Sequence, residues 1–193
     1  MTRCPVLIGA LVVPLLLAGC ETPVPENNFP EISFAHEQPI RLDVATVTVK
    51  EPPPPAVGGK SIDYELPVSL RKTAARWARE RLKPVGRTGE AVVTVEQADV
   101  TEERLKKTGG IRGAFVTDQT ERYRGVLRMS VAVTTPRGEA VARAQGERVR
   151  TVAEDATLAD REKIWFEMTE TLMRRVDKEL DSQIRRHMSN YIR

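Results

Sequence analysis

Cysteine is almost missing from this chain. Its two examples, Cys4 and Cys20, both lie in the first 20 of 193 residues. Beyond them there is no thiol, which excludes an internal disulfide, a thiolate metal site and a cysteine nucleophile. Histidine is as scarce. His36 sits between Pro30 and Pro39, and His187 follows Arg185 and Arg186 near the C-terminus. No H-E-x-x-H pattern and no G-x-S-x-G elbow occurs. Gly109, Gly110 and Gly113 are not followed by G-K-[ST], so no phosphate loop is present. Glu102 and Glu103 are adjacent and project to opposite faces of a strand, which keeps them from acting as an acid–base pair. An excess of one charge is lacking too. Thirty bases against 27 acids leave +3, which gives whole-molecule electrostatics no hold on nucleic acid. Finally, there is no long apolar run. Residues 6–17 form a stretch broken by Gly9 and Pro14, whereas a spanning helix needs roughly 20 apolar residues.

What is present begins with that short run. It follows Arg3 and ends in Leu17-Ala18-Gly19-Cys20. A positive start, a brief apolar middle and a small-residue exit describe a secretory signal. The last four residues resemble the lipobox of bacterial lipoproteins. That resemblance implies cleavage before Cys20, acylation of Cys20 with fatty chains such as palmitate, and a protein anchored by lipid at the N-terminus and facing the periplasm. Ala18 and Gly19 would fit the peptidase, and the Cys20 thiolate would accept the diacylglyceryl group. Glu21 stands where an aspartate favours inner-membrane retention in well-studied relatives, so the outer membrane is favoured. On this reading residues 1–19 are a signal peptide, 20–39 a lipidated tether and 40–193 one domain. Loss of Arg3 takes the formal charge to +2.

The tether holds prolines at 23, 25, 30 and 39, a spacing no helix survives. Residues 40–50 alternate with Ile40, Leu42 and Val44 on one face and Val47 and Val49 on the other, which predicts a strand with a one-residue slip near Ala45. Residues 67–83 carry Leu70, Ala74, Trp77, Ala78 and Leu82 at helical spacing, stopped by Pro84 and Gly86. Alternation then predicts strands over 91–100, 121–135 and 139–151, the last two joined by a Thr-Pro-Arg-Gly turn. Ala140, Ala142, Ala144 and Gly146 give the third of these a small-residue face on which a helix could lie close. From Thr157 onward apolar residues recur at threes and fours through Trp165, Leu172, Leu180 and Tyr191. Thr157 and Asp160 form a variant capping box. Six acids and two bases over 154–170 give way to three acids and six bases over 171–193, a gradient that suits the helix dipole. About 34 residues at 1.5 Å each would span roughly 50 Å and overhang a small sheet. The order β-α-β-β-β-α predicts an α+β domain: an antiparallel sheet of about four strands, two helices packed on one face, and a long C-terminal helix.

Two features point to interactions. The helix region 67–87 carries seven bases against Glu80. Lys72, Arg76, Arg79 and Lys83, spaced 4, 3 and 4, form a stripe roughly opposite the apolar one, placed to meet anionic headgroups or an acidic partner. The second is the hairpin tip at Ile111, Arg112 and Phe115, where apolar residues beside glycines could dock or fold under. The helix around Trp77, the strand hairpin and the long final helix are similar in order to two envelope families: the auxiliary lipoproteins of ABC-type lipid transport systems, and the lipoprotein that plugs the lipopolysaccharide-assembly barrel. The chain lacks the glycine-aromatic segment that follows the lipid cysteine in the second. The resemblance implies a non-catalytic accessory or interaction subunit with a protein or lipid partner in the envelope, no cofactor, no metal and no nucleic acid. The rival is a membrane-tethered hydrolase acting on cell-wall or lipid substrate, which a deep pocket of convergent polar groups would favour.

Overall fold

The computed structural model describes residues 27–51, 61–105 and 119–193. The lipobox, residues 17–20, and the hairpin tip at Ile111, Arg112 and Phe115 lie outside the described residues.

The elements run β1 (Ile40–Leu42), β2 (Thr46–Lys50), α1 (Leu70–Arg81), β3 (Leu82–Pro84), β4 (Glu90–Arg104), β5 (Gln119–Thr135), β6 (Gly138–Ala153) and α2 (Leu158–His187), followed by a 3-10 turn at Ser189–Tyr191. The main sheet has the order β2-β4-β5-β6, and β1 and β3 form a separate pair. Both helices pack against the main sheet, so the expected α+β architecture stands. The sheet is mixed rather than antiparallel: β4, β5 and β6 form an antiparallel meander, but β2 runs parallel to β4. The α1 crossover between β2 and β4 returns the chain to the starting end, and a returned strand must run parallel to the one it left.

The stretch 40–50 is not one slipped strand. It breaks at Asp43–Ala45, and its halves join different sheets. The switch in parity read from the sequence is real: Ile40, Leu42 and Val44 are buried, and Val47 and Val49 pack against the same core from β2. Gly86 makes the bend possible. A Cβ there would sit 2.5 Å from the Asp43 carbonyl carbon and 2.6 Å from the Val44 nitrogen. A true bulge occurs instead in β4, where the register shifts between Val95 and Gln97. It moves the inward set from Ala91, Val93 and Val95 to Ala98 and Val100.

Helix α1 is shorter than its apolar spacing predicts. Ser69 caps it by accepting from the Lys72 amide, and Leu82 is already extended, pairing with Ile40. Helix α2 starts where the capping box places it, with Thr157 and Asp160 each receiving the other's bond. It ends at His187, and its C-terminal part does not overhang: Leu180, Ile184 and Met188 are all fully buried. The small-residue face of β6 seats α2 as expected. A Cβ on Gly146 would meet Leu172 and Val176 at 3.2 and 3.3 Å, and one on Gly125 of β5 would meet Leu172 at 2.7 Å. Trp77 and Trp165 are both buried, one on each helix.

Candidate functional site

Residues 27–38, part of the proline-rich tether in sequence, lie as a strap across both helices. The Asn27 side-chain amide donates to the Ala159 carbonyl at 3.0 Å, near the start of α2. Phe29 stacks on Phe166 with ring centroids 5.0 Å apart. Glu31 pairs with Arg76 of α1 at 2.7 Å. Glu80 accepts from the Ser33 hydroxyl at 3.0 Å and from the Phe34 amide. Phe34 is buried in the core. At the far end the Gln38 carbonyl accepts from the Arg81 guanidinium.

Arg81 is the centre of a buried polar joint. Its side chain is 4% exposed. Nε donates to Asp177 Oδ1 at 2.7 Å and Nη2 to Asp181 Oδ1 at 2.9 Å. The same Asp177 oxygen accepts from the Trp77 indole at 2.7 Å. Arg185 then holds Asp181 from outside, with Nε donating to Oδ2 at 2.7 Å. That bond from Arg185 holds the Asp181 carboxyl below its ordinary range, against an opposing push from burial. A charge this buried is tolerable because its planar donor fork meets two carboxylates and a carbonyl.

Between strap and α2 lies a cleft of about 620 Å³. Ile32, Phe34 and His36 form one wall; Glu170, Arg174 and Lys178 form the other; Arg81 and Asp177 lie at the base. Most of its charges pair among themselves, as Arg174 does with Glu170 at 2.9 Å and Arg185 with Asp181. Among the described residues no group of three or more His, Cys, Asp or Glu is placed to hold a metal, and no helix is long and apolar enough to cross a membrane. His36 and His187 are both exposed and lie on different elements.

The four bases of the α1 stripe do not behave alike. Lys72 and Arg79 are exposed. Arg76 is half-buried under its bond to Glu31. Lys83 lies beyond the helix in β3, and its ammonium donates back to the Arg79 carbonyl at 2.7 Å. The joint itself is absent from the set read from sequence, in which Arg81 is only one of the seven bases over 67–87. The signal was there: Leu70, Ala74, Trp77 and Arg81 are spaced 4, 3 and 4, which puts Arg81 on the apolar stripe. Met173, Asp177, Leu180 and Ile184 repeat that spacing on α2. A charge in register with an apolar stripe is the sequence mark of a buried pair.

No family model matches the chain, and no curated protein matches it. Among solved structures it is similar to rare lipoprotein B from Shewanella oneidensis, at 14% identity over 73% of this chain and 95% of that one, with a TM-score of 0.39. It is similar to a minor lipoprotein from Acinetobacter baumannii at 11% identity over 76% and 96%, TM-score 0.39. It is also similar to protein XCC0632 from Xanthomonas campestris at 8% identity over 70% and 81%, TM-score 0.30.

Proposed function

We propose that this chain is a non-catalytic lipoprotein of the bacterial cell envelope, anchored through acylated Cys20, facing the periplasm and carried on the outer membrane. Its α+β domain serves as an accessory or interaction subunit of a lipid-transport or envelope-assembly system, bound to a protein or lipid partner. The observation that supports this best is the strap. Seven peptide units separate Cys20 from Asn27, so the lipid attachment can be no farther than about 25 Å from Asn27, whose side chain meets the start of α2. From there the chain is bonded to α1 and α2 at successive points, ending at Arg81. A tether that continues into the domain's own packing holds that domain at the membrane in a defined place, which suits a subunit that presents a surface. Two or more acyl chains make such an anchor stable, at about 0.8 kcal/mol per buried methylene. Lys72 and Arg79, with Arg76 and Lys83 beside them, supply a basic α1 surface toward anionic headgroups or an acidic partner.

Metabolic labelling with palmitate tests the anchor. The parent is expected to take up label and to fractionate with the outer membrane on a density gradient. Cys20→Ser is expected to lose the label and accumulate as the uncleaved precursor. Undiminished labelling of that variant would remove the basis of the proposal. For the α1 surface, substitution of Lys72, Arg76, Arg79 and Lys83 by glutamine is expected to weaken salt-sensitive association with anionic vesicles; unchanged association would assign the stripe to solvent.

A further inference from the structure

The outer face of the main sheet, away from the helices, carries a column of arginines. At one end they are paired. Arg122 meets Glu103 at 3.4 Å, and Arg124 binds both oxygens of Glu147 at 2.8 and 2.9 Å. Further along, the pairing lapses. Arg128 lies directly between Gln97 of β4 and Gln145 of β6, and Glu147, the acid next along β6, is already held by Arg124. Arg143 of β6 lies opposite Ser130, which makes it the diagonal neighbour of Arg128 on the same face. Arg175 of α2 joins them at the β6 edge, and the three line one concavity of about 430 Å³.

Two acids share that lining, Glu96 and Glu179, and both are engaged by neutral donors. Glu96 accepts from the Ser130 hydroxyl at 2.8 Å, and Glu179 from the Gln183 amide at 2.7 Å. Among the described residues, none of the three guanidinium groups has a carboxylate within 4.0 Å. Elsewhere on this molecule the common state of an arginine is paired. Three from three elements, left unpaired around one hollow, present planar donor forks to whatever enters it.

A guanidinium fork matches the oxygens of phosphate in bidentate fashion. A phosphomonoester carries about −1.5 to −2 at neutral pH and three acceptor oxygens. It can therefore engage more than one fork, where a lone carboxylate would occupy one. We infer that Arg128, Arg143 and Arg175 form a binding site for a phosphate group, carried as a phosphomonoester or as free phosphate. The site lies on side chains remote from residue 20, so it stands or falls independently of the lipid anchor.

The test is calorimetric titration of the full-length chain in neutral detergent, first with inorganic phosphate and then with short-chain phosphatidate. Saturable, salt-weakened binding is expected. Arg143→Gln and Arg175→Gln are each expected to lower affinity about tenfold, as loss of a charge-assisted contact does. Arg122→Gln, which removes a guanidinium paired with Glu103 and outside the lining of the hollow, is expected to bind like the parent. Equal affinity for the two ligands would identify free phosphate as the group recognised, and tighter binding of phosphatidate would identify a lipid headgroup; both support the site. A parent that binds neither, a triple glutamine variant that binds as the parent does, or capture of an acidic peptide without phosphate binding would overturn it. Thermal melting of each variant confirms that the fold is kept.

Discussion

Asp177→Ala puts the buried joint to the test. One oxygen of Asp177 accepts from both Trp77 and Arg81, each at 2.7 Å, with the Asp177 side chain 9% exposed. Alanine removes both acceptances at once. An unpaired buried indole N–H costs about 1–3 kcal/mol. Removing one member of a buried ion pair costs about 3–5 kcal/mol. Arg81 keeps Asp181 and the Gln38 carbonyl, so the lower end of the second range applies. A total near 4 kcal/mol is expected, which for a domain of this size lowers Tm by roughly 8–16 °C. Thermal denaturation followed by circular dichroism measures it. The paired change Arg81→Met with Asp177→Leu removes both charges and fills the space with apolar atoms, so it is expected to recover most of the loss. That double variant still deprives Gln38 of its donor. Limited proteolysis within residues 27–39 is therefore expected to quicken in the double variant, even though that variant is stable. Melting of Asp177→Ala within about 2 °C of the parent, or a double variant worse than the single, would refute the coupling of these residues.

The two tryptophans are expected to differ. Trp77→Phe takes a donor from Asp177 and should cost about 1–3 kcal/mol, whereas the Trp165 indole N–H is buried with no acceptor among the described residues, so Trp165→Phe should fall within about 1 kcal/mol of the parent by urea unfolding. Gly86→Ala drives a methyl into the Asp43 and Val44 backbone and is expected to cost about 2 kcal/mol or more, because backbone cannot swing aside as a side-chain tip can; an unchanged melting curve would show that the bend is not close-packed. Acid should destabilise the protein with a definite sign. Asp181 is held below its ordinary 3.8 by Arg185, and Glu121 below its ordinary 4.5 by Arg161, so the stability each adds is present above those values and lost as pH falls through the lowered ones. Asp63, raised by burial, adds the opposite slope above 3.8. A melting temperature that climbs continuously down to pH 3 would contradict this balance.

Much of this protein is written in local pattern. The period-two alternation of Tyr123, Leu127, Met129, Val131 and Val133 defines a strand because successive side chains must take opposite faces, and all five are buried. Thr157 and Asp160 define the start of α2 because a capping box needs nothing beyond its own turn. The small residues of β6 foretell where a helix comes close, since Gly146 leaves room for Leu172 and Val176. Other features depend on partners far apart in the chain. The break at Asp43–Ala45 needs Gly86 against it and β3 beside β1; the same alternation could have made one bent strand. Whether β2 runs parallel or antiparallel to β4 depends on the path of the α1 crossover, which side-chain periodicity does not encode. Arg81 reads as a surface base until Asp177, 96 residues away, is placed against it. Arg128, Arg143 and Arg175 become one site only when the β5–β6 register and the seat of α2 bring them to the same hollow. Local geometry sets the elements, because helix and strand periods act within a few residues. The pairing of charges is decided by tertiary structure, because it depends on distances that only the packed chain defines.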